Sequence, residues 1–418
     1  DKDAVKIQNI KFTYWDGKDQ DVVAKGFSEG QYSKARIYPT SSTYEKYASE
    51  FKDNIYFSEP GSAIATVSVN YGRTTYNHTS KTTDSQKEST RKALLNKEFR
   101  QALNFAVDRN SYSAQTNGTE GAAVGIRNTF SPYDLQVGDK QFGKLVEESL
   151  AKTNSSTWSN VSLADSQNGL YNEEKAKAAF AKAKESWKAE GVEFPIHLDY
   201  VVSQTDNSQV QQASSFKQSV EAVLGADNVV VDIQKLSDDD FNNITYFTDT
   251  AAEKDYDLAG GGWVPDYQDP STYLDILVPG NSTQTRTYLG FEDKDNAAAK
   301  AVGLDEYSKL IEEAGNETQD VDKRYEKYAA AQAWLTDSAL LIPVTSRTGR
   351  PTLTKVVPFS APFAWSGAKA REAASYKYMK LQDETVTTKD YNSAQEKWNK
   401  ERVESNKKAQ EELADHVK

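Results

Sequence analysis

The chain has 418 residues, with 50 Lys and Arg against 62 Asp and Glu, a formal charge of -12, no Cys, three His and 37% hydrophobic residues. Its acids and lysines are interspersed along the sequence, without the clustered basic face that phosphate neutralisation needs, which excludes nucleic acid as a partner. The lack of Cys excludes disulfides, zinc-thiolate sites and thiol catalysis, and no apolar run approaches the roughly 20 residues of a membrane helix.

His78, His197 and His416 are too far apart for a His-based metal site or a Ser-His-Asp triad, so each reads as a surface or packing residue and no cofactor is expected. At roughly 150 residues per domain the chain should form two or three packing units. The 23 Tyr and 7 Trp imply substantial cores or aromatic-lined pockets. The first residue is Asp1 and the only methionine is Met379, so the chain reads as a processed or truncated product, any leader or lipid-anchor cysteine lying outside it.

In chain order, Val5 to Trp15 alternates β-branched and aromatic residues and predicts a strand, as does Ala63 to Asn70. The polar run Thr74 to Thr90 reads as a mobile surface loop and a crossing point between domains. Leu95, Phe99, Leu103, Ala106 and Val107 fall at helical spacing and predict one helix from Leu94, with Asp108 and Arg109 closing it by surface pairing. Asn172 stands as N-cap of a helix that Gly191 should stop.

Ile196 to Val202, a helix from about Ser208 to Leu224 ended by Gly225, and Asn228 to Gln234 form a β-α-β unit with parallel strands. Ser237 should cap a short helix, and the acids Asp238, Asp239 and Asp240 then complement its dipole rather than bind a cation. Asp255 to Val264 predicts a strand ending in glycines, Asp269-Pro270 opens a further helix, and two more cover about Leu304 to Ala314 and Val321 to Thr336. Ala339 to Thr345 is a buried strand. The last 35 or so residues read as a charged, solvated helical tail.

Function concentrates in GGGWVPDYQDPSTYLD, Gly260 to Asp275. Glycines at a strand end let another backbone approach, because no Cβ intervenes. Trp263 offers a flat apolar wall with one N–H donor, suited either to core packing or to lining a pocket. Asp266 lies in the loop at the carboxyl end of the strand, where open α/β sheets bind ligands. On residue type alone it is a solvated loop acid.

This segment resembles the peptide-binding members of the extracytoplasmic solute receptors of dipeptide and oligopeptide ABC importers. EFRQALNFAVDR (Glu98 to Arg109), GLYNEEKAKAAF and YEKYAAAQAWLTDSALLIPV (Tyr325 to Val344) resemble further family segments in the same order, and the texture is most similar to streptococcal oligopeptide-binding lipoproteins. The resemblance implies an α/β, two-lobed periplasmic-binding-protein-like (type II) clamp, here one near-complete lobe plus part of the other. Residues 1–71 would be a remnant of lobe I, 72–345 lobe II with the anchoring loop 260–270, and 346–418 the return to lobe I with the tail; the N-terminal half of lobe I would be absent.

It further implies a non-enzymatic receptor in which Asp266 takes the ligand's α-amine, cationic at neutral pH. Gly262, Trp263 and Val264 would pair with the peptide main chain as an added strand, with Tyr267 beside them, while the two lobes close on the ligand. The implied partners are an oligopeptide and the ABC permease subunits, with the membrane reached only through a lipid anchor outside this chain, on a monomer at the extracellular face. Ala259 and Gly260 stand where some members place a cation, so recognition of the ligand carboxylate is left open. Two other readings are weighed: the same fold for a sugar or metal chelate, and a glycoside hydrolase using Asp266 and Asp269 as a carboxylate pair. Asp269 before Pro270 is foremost a helix cap.

Overall fold

A computed structural model describes residues 6–58, 61–137, 140–292, 296–346, 349–360, 376 and 379–416. Two compact units divide the chain, Glu59–Gly349 and the combination of Asp1–Ser58 with Arg350–Lys418.

The larger unit is built on five strands, β1 (Ile64–Val69), β2 (Ile196–Ser203), β3 (Val229–Leu236), β4 (Leu258–Trp263) and β5 (Ile342–Ser346), in the order β3-β2-β4-β1-β5. β2 and β3 run parallel from Ile196 opposite Val229 to Ser203 opposite Leu236, joined by the helix Asn207–Leu224, which Gly225 ends at a φ of 87°. This β-α-β unit follows the sequence expectation. Nearly every residue of β2 and β5 is buried, as sheets covered on both faces require. β4 is antiparallel to β1 along its whole length, from Ile64 opposite Trp263 to Val69 opposite Leu258. Against β2 it is parallel, and that pairing covers only Leu258 and Ala259.

The expected helix from Leu94 is broken by Asn96, whose extended backbone ends the helix Asp84–Leu95 while its side chain accepts from the Phe99 N–H and starts Lys97–Ala106. Every residue from Phe99 to Ala106 is buried, and the Phe99 ring meets Phe180 and Trp187 at 6.1 and 5.6 Å. Asp108 and Arg109 do not form a surface pair. Asp108 caps the helix Arg109–Gly121 by accepting from the Asn110 and Ser111 N–H groups. Arg109 is fully buried and donates to the carbonyls of Asn104, Val107 and Pro343, and burial pushes its pKa down to about 9. A charged-looking pair in sequence is thus a cap and a core tie.

The stretch Thr74 to Thr90 is also not a free loop. Thr83 makes a capping box with Gln86 for the helix Asp84–Leu95, and Ser89 and Thr90 are buried beside the sheet, Thr90 donating to the His197 carbonyl. Arg73, just before this stretch, and Lys81, within it, enter the core. Arg73 donates to Asp199 at 2.7 Å and to Asp255 at 2.9 Å, and Lys81 donates to Asp199 at 2.6 Å and also reaches Asp257. Burial opposes ionisation of Asp199, but Lys81, Thr79 and Arg73 outweigh it and hold that carboxyl at about 2. Asp255 and Asp257 stand immediately before β4, so this network fixes the foot of the strand on which the functional segment sits.

In the smaller unit, Lys34–Arg36, Pro351–Thr354 and Tyr56–Phe57 form an antiparallel sheet over a core of Ala24, Phe27, Ala35, Ile37, Tyr47 and Leu353. The expected strand Val5 to Trp15 is not found over 6–15, where no ladder partner exists among the described residues and Phe12 and Tyr14 are exposed; Val5 lies outside those residues. Alternation makes a strand only when a neighbour supplies hydrogen bonds. The C-terminal helix Thr388–His416 begins docked rather than solvated: Tyr391 stacks on Tyr56 at 4.0 Å, and Phe359 stacks on Trp398 at 5.3 Å. Further along, Val403 is exposed.

Candidate functional site

β4 ends in three glycines and Trp263, and the three glycines do different things. A Cβ on Gly261 would lie 2.4 Å from Ser68 Oγ and 3.1 Å from the Tyr288 ring, so this glycine is demanded by packing onto β1. A Cβ on Gly260 would meet nothing within 4 Å, and the residue is exposed. The Gly262 carbonyl accepts from the Tyr288 hydroxyl at 2.6 Å. Trp263 is half-buried, and its indole Nε1 has no hydrogen-bond partner among the described residues.

Because β2 pairs with β4 only as far as Ala259, the backbone of Gly260 to Trp263 has a ladder partner on one side only, that of β1, among the described residues. An unpaired strand edge is a template for another extended chain. Gly262 and Trp263 lie in this edge. Val264, Asp266 and Tyr267 come after it, in the loop that leads to the short helix Ser271–Leu274.

In that loop the Asp266 N–H donates to Thr272 Oγ1 at 3.1 Å, while its side chain is exposed and has no ion-pair or hydrogen-bond partner among the described residues. Tyr267 is also exposed, its hydroxyl 3.3 Å from Ser271 Oγ. Asp269 does act as a cap, accepting from the Ser271 N–H at 2.9 Å, and in addition takes a two-pronged ion pair from Arg324, Nη1 to Oδ2 at 2.6 Å and Nη2 to Oδ1 at 2.9 Å. Burial alone would raise the Asp269 carboxyl, but Arg324 and Ser271 hold it below the usual range. A carboxyl so held does not retain the proton that a general acid must give, so Asp269 is unsuited to be the acid of an Asp266–Asp269 hydrolytic pair.

Three contributors escaped the sequence reading: Arg324, Tyr288 and Thr272. Arg324 sits in a helix 55 residues beyond its partner, and nothing in DKRYEKY marks it from neighbouring charged residues. Thr272 bonds the Asp266 N–H across six residues, beyond the spacings of local side-chain-to-backbone motifs, so no local rule marks it either. Among the described residues, no group of three or more His, Cys, Asp or Glu is placed to hold a metal ion.

The site is thus a one-sided strand edge, followed three residues later by a carboxylate with no partner among the described residues, on a mixed sheet. The sequence profile of the bacterial extracellular solute-binding proteins, family 5 (middle part), matches residues 1–285, and the chain belongs to that family. It is 59% identical over 420 residues to the oligopeptide-binding protein SarA of Streptococcus gordonii (strain Challis), covering 100% of this chain and 63% of that protein. With the oligopeptide-binding protein AliA of Streptococcus pneumoniae serotype 4 it shares 56% identity over 422 residues, covering 100% of this chain and 64% of that one. The chain therefore spans somewhat less than two thirds of these relatives.

Among solved structures, the substrate-binding domain of an oligopeptide ABC transporter from Bacillus anthracis str. Ames superimposes with a TM-score of 0.57 at 19% identity, over 91% of this chain and 60% of that one. Listeria monocytogenes OppA bound to peptide does so with a TM-score of 0.57 at 20% identity, over 92% and 60%. These likenesses carry the α/β solute-binding fold that the sequence resemblance implied.

Proposed function

We propose that this chain is the peptide-gripping part of the substrate-binding component of an oligopeptide ABC importer, and that it binds rather than transforms its ligand. The observation that carries the reading is the edge of β4 over Gly260 to Trp263, one-sided among the described residues, followed three residues later by the exposed carboxylate of Asp266, which has no partner among them. An extended peptide adds to that edge through its main chain, with Gly262, Trp263 and Val264 supplying backbone groups and Tyr267 flanking them. Asp266 takes the α-amine. Main-chain pairing gives affinity without selecting side chains, and a charged end group sets the register.

In this reading 72–345 is the bulk of lobe II, with 1–71 and 346–418 belonging to lobe I. The full-length protein works as a monomer at the extracellular face of the membrane, lipid-anchored and delivering peptide to the permease subunits.

The test is calorimetry on the full-length protein with a peptide and its N-acetylated twin. Asp266→Ala should weaken binding of the free-amine peptide by about 3–5 kcal/mol, the usual cost of orphaning one partner of a desolvated ion pair, while leaving stability within roughly 0.5 kcal/mol because the side chain is exposed. The acetylated peptide should bind both proteins equally poorly. Near-native affinity in the variant would remove the amine anchor. Mass spectrometry of small molecules released on denaturing protein purified from cells separates the solute classes: a set of heterogeneous peptides supports this reading, and a single sugar or chelate defeats it.

A further inference from the structure

We propose that Arg324 is a positioning residue for peptide recognition: from the helix Val321–Ser338 it locks the loop 264–270 and cancels the charge of Asp269, leaving Asp266, of the loop's two acids, as the carboxylate offered to a cationic group. This rests on the amine-anchoring role proposed for Asp266.

The loop hangs between two supports. At one end is β4, held to β1 along its length. At the other, Asp269 caps Ser271, and Thr272 Oγ1 accepts from the Asp266 N–H. Those local bonds orient the backbone but tie it only to the next few residues. A directional tie to the rest of the unit is the Arg324 fork, with Nη1 on one Asp269 oxygen at 2.6 Å and Nη2 on the other at 2.9 Å. A bidentate guanidinium–carboxylate pair fixes orientation as well as distance, unlike a single ammonium contact.

The helix that presents Arg324 is itself well anchored. Asp320 caps it through the Lys323 N–H, and its inner face buries Tyr328, Ala329, Ala331, Gln332 and Ala333. Arg324 also lies 4.8 Å over the Tyr328 ring, so the guanidinium is braced by a side chain that is itself in the core.

Arg324 also sets the charge of the loop. Asp266 and Asp269 are three residues apart in one loop, and two free carboxylates there could both claim an ammonium and would blur the position at which it is held. Asp269 is satisfied on both oxygens, while Asp266 has no partner among the described residues. Of the two, only Asp266 is left able to take a new cation without first giving up an existing one.

The experiment compares wild type, Arg324→Ala and Arg324→Lys in the full-length protein with two readouts. The first is hydrogen–deuterium exchange of the 264–272 amides without peptide; the second is the ratio of affinities for a free-amine peptide and its N-acetylated twin. Arg324→Ala should speed exchange in this loop by about tenfold or more and reduce the affinity ratio by roughly 10- to 100-fold, the scale that a misplacement of about 1 Å produces. Arg324→Lys keeps the charge but loses the fork, and should restore part of the ratio.

A merely structural role would lower the melting temperature and weaken both peptides alike, leaving the ratio unchanged, and that result overturns the proposal. Unchanged exchange at 264–272 in Arg324→Ala overturns it as well, whatever the peptides do. A wild-type protein indifferent to acetylation would overturn the amine-anchor reading instead, and the exchange measurement would still decide whether Arg324 holds the loop.

Discussion

Replacing Arg73 by Met tests whether the ionic network under β4 is a stabilising unit or an incidental cluster. Arg73 Nη1 lies 2.7 Å from Asp199 and 3.0 Å from Asp257, Nη2 lies 2.9 Å from Asp255, and all four side chains are almost wholly buried. With Lys81 on Asp199 and Asp257, the wild-type cluster has two cations and three carboxylates, a net charge of -1. Removing Arg73 leaves one cation against three, a net charge of -2.

Asp255 keeps the Asn77 and His78 N–H donors and Asp257 keeps the Asp199 N–H, so the loss is chiefly uncompensated charge rather than unmade hydrogen bonds. Breaking a buried pair by removing one partner costs about 3–5 kcal/mol, and Arg73→Met should cost that much in urea unfolding at neutral pH. Because Asp199 is held at about 2 in the folded protein against 3.8 ordinarily, its contribution is present above pH 3.8 and is lost as the pH falls toward 2. Without Arg73 the carboxyls should take up protons at higher pH, so the gap between variant and wild type should narrow as the pH falls from 7 toward 4. Adding Asp257→Asn to Arg73→Met should recover part of the loss. A variant within about 1 kcal/mol of wild type at pH 7, or a gap that does not change with pH, would refute the reasoning.

Two further outcomes follow from the buried carboxyl Asp165 and from the strand glycines. Burial pushes Asp165 from 3.8 up to about 6 despite Arg127 Nε at 3.6 Å, so its contribution is fully present below pH 3.8 and is lost as the pH rises through 6. Asp165→Asn, which cannot ionise, should therefore gain about 3 kcal/mol on wild type between pH 4 and pH 7 in denaturant titrations; an unchanged difference would show that the carboxyl is not raised. Gly261→Ala should destabilise by about 1–3 kcal/mol through contact with Ser68 and Tyr288, whereas Gly260→Ala should leave the melting temperature unchanged and weaken peptide binding where a ligand backbone approaches. Equal melting temperatures for the two variants would refute that division of roles.

Elements made by local chemistry could be read from the chain alone. Asn172, Ser237 and Gly225 cap or stop helices through contacts a few residues away, and β2 with β3 is specified by two β-branched runs around an amphipathic helix. The motif from Gly260 to Asp275, the capping role of Asp269 and the solute-receptor resemblance were legible for the same reason: composition and spacing within a short segment carry them.

Tertiary structure decided the rest. Arg73 meets acids 126 and 182 residues away, Arg324 meets Asp269 across 55, and Arg109 reaches a carbonyl 234 residues on, separations at which sequence pattern holds no geometric information. A polar run such as Thr74 to Thr90 looks like loop because polarity predicts solvent, yet paired charges can be buried when several partners converge, and only the fold brings those partners together. Likewise, three consecutive glycines are equivalent in sequence and distinct in space. Ser68 and Tyr288 require the second, the first faces open space, and the point at which β2 leaves β4 determines which edge a ligand could use.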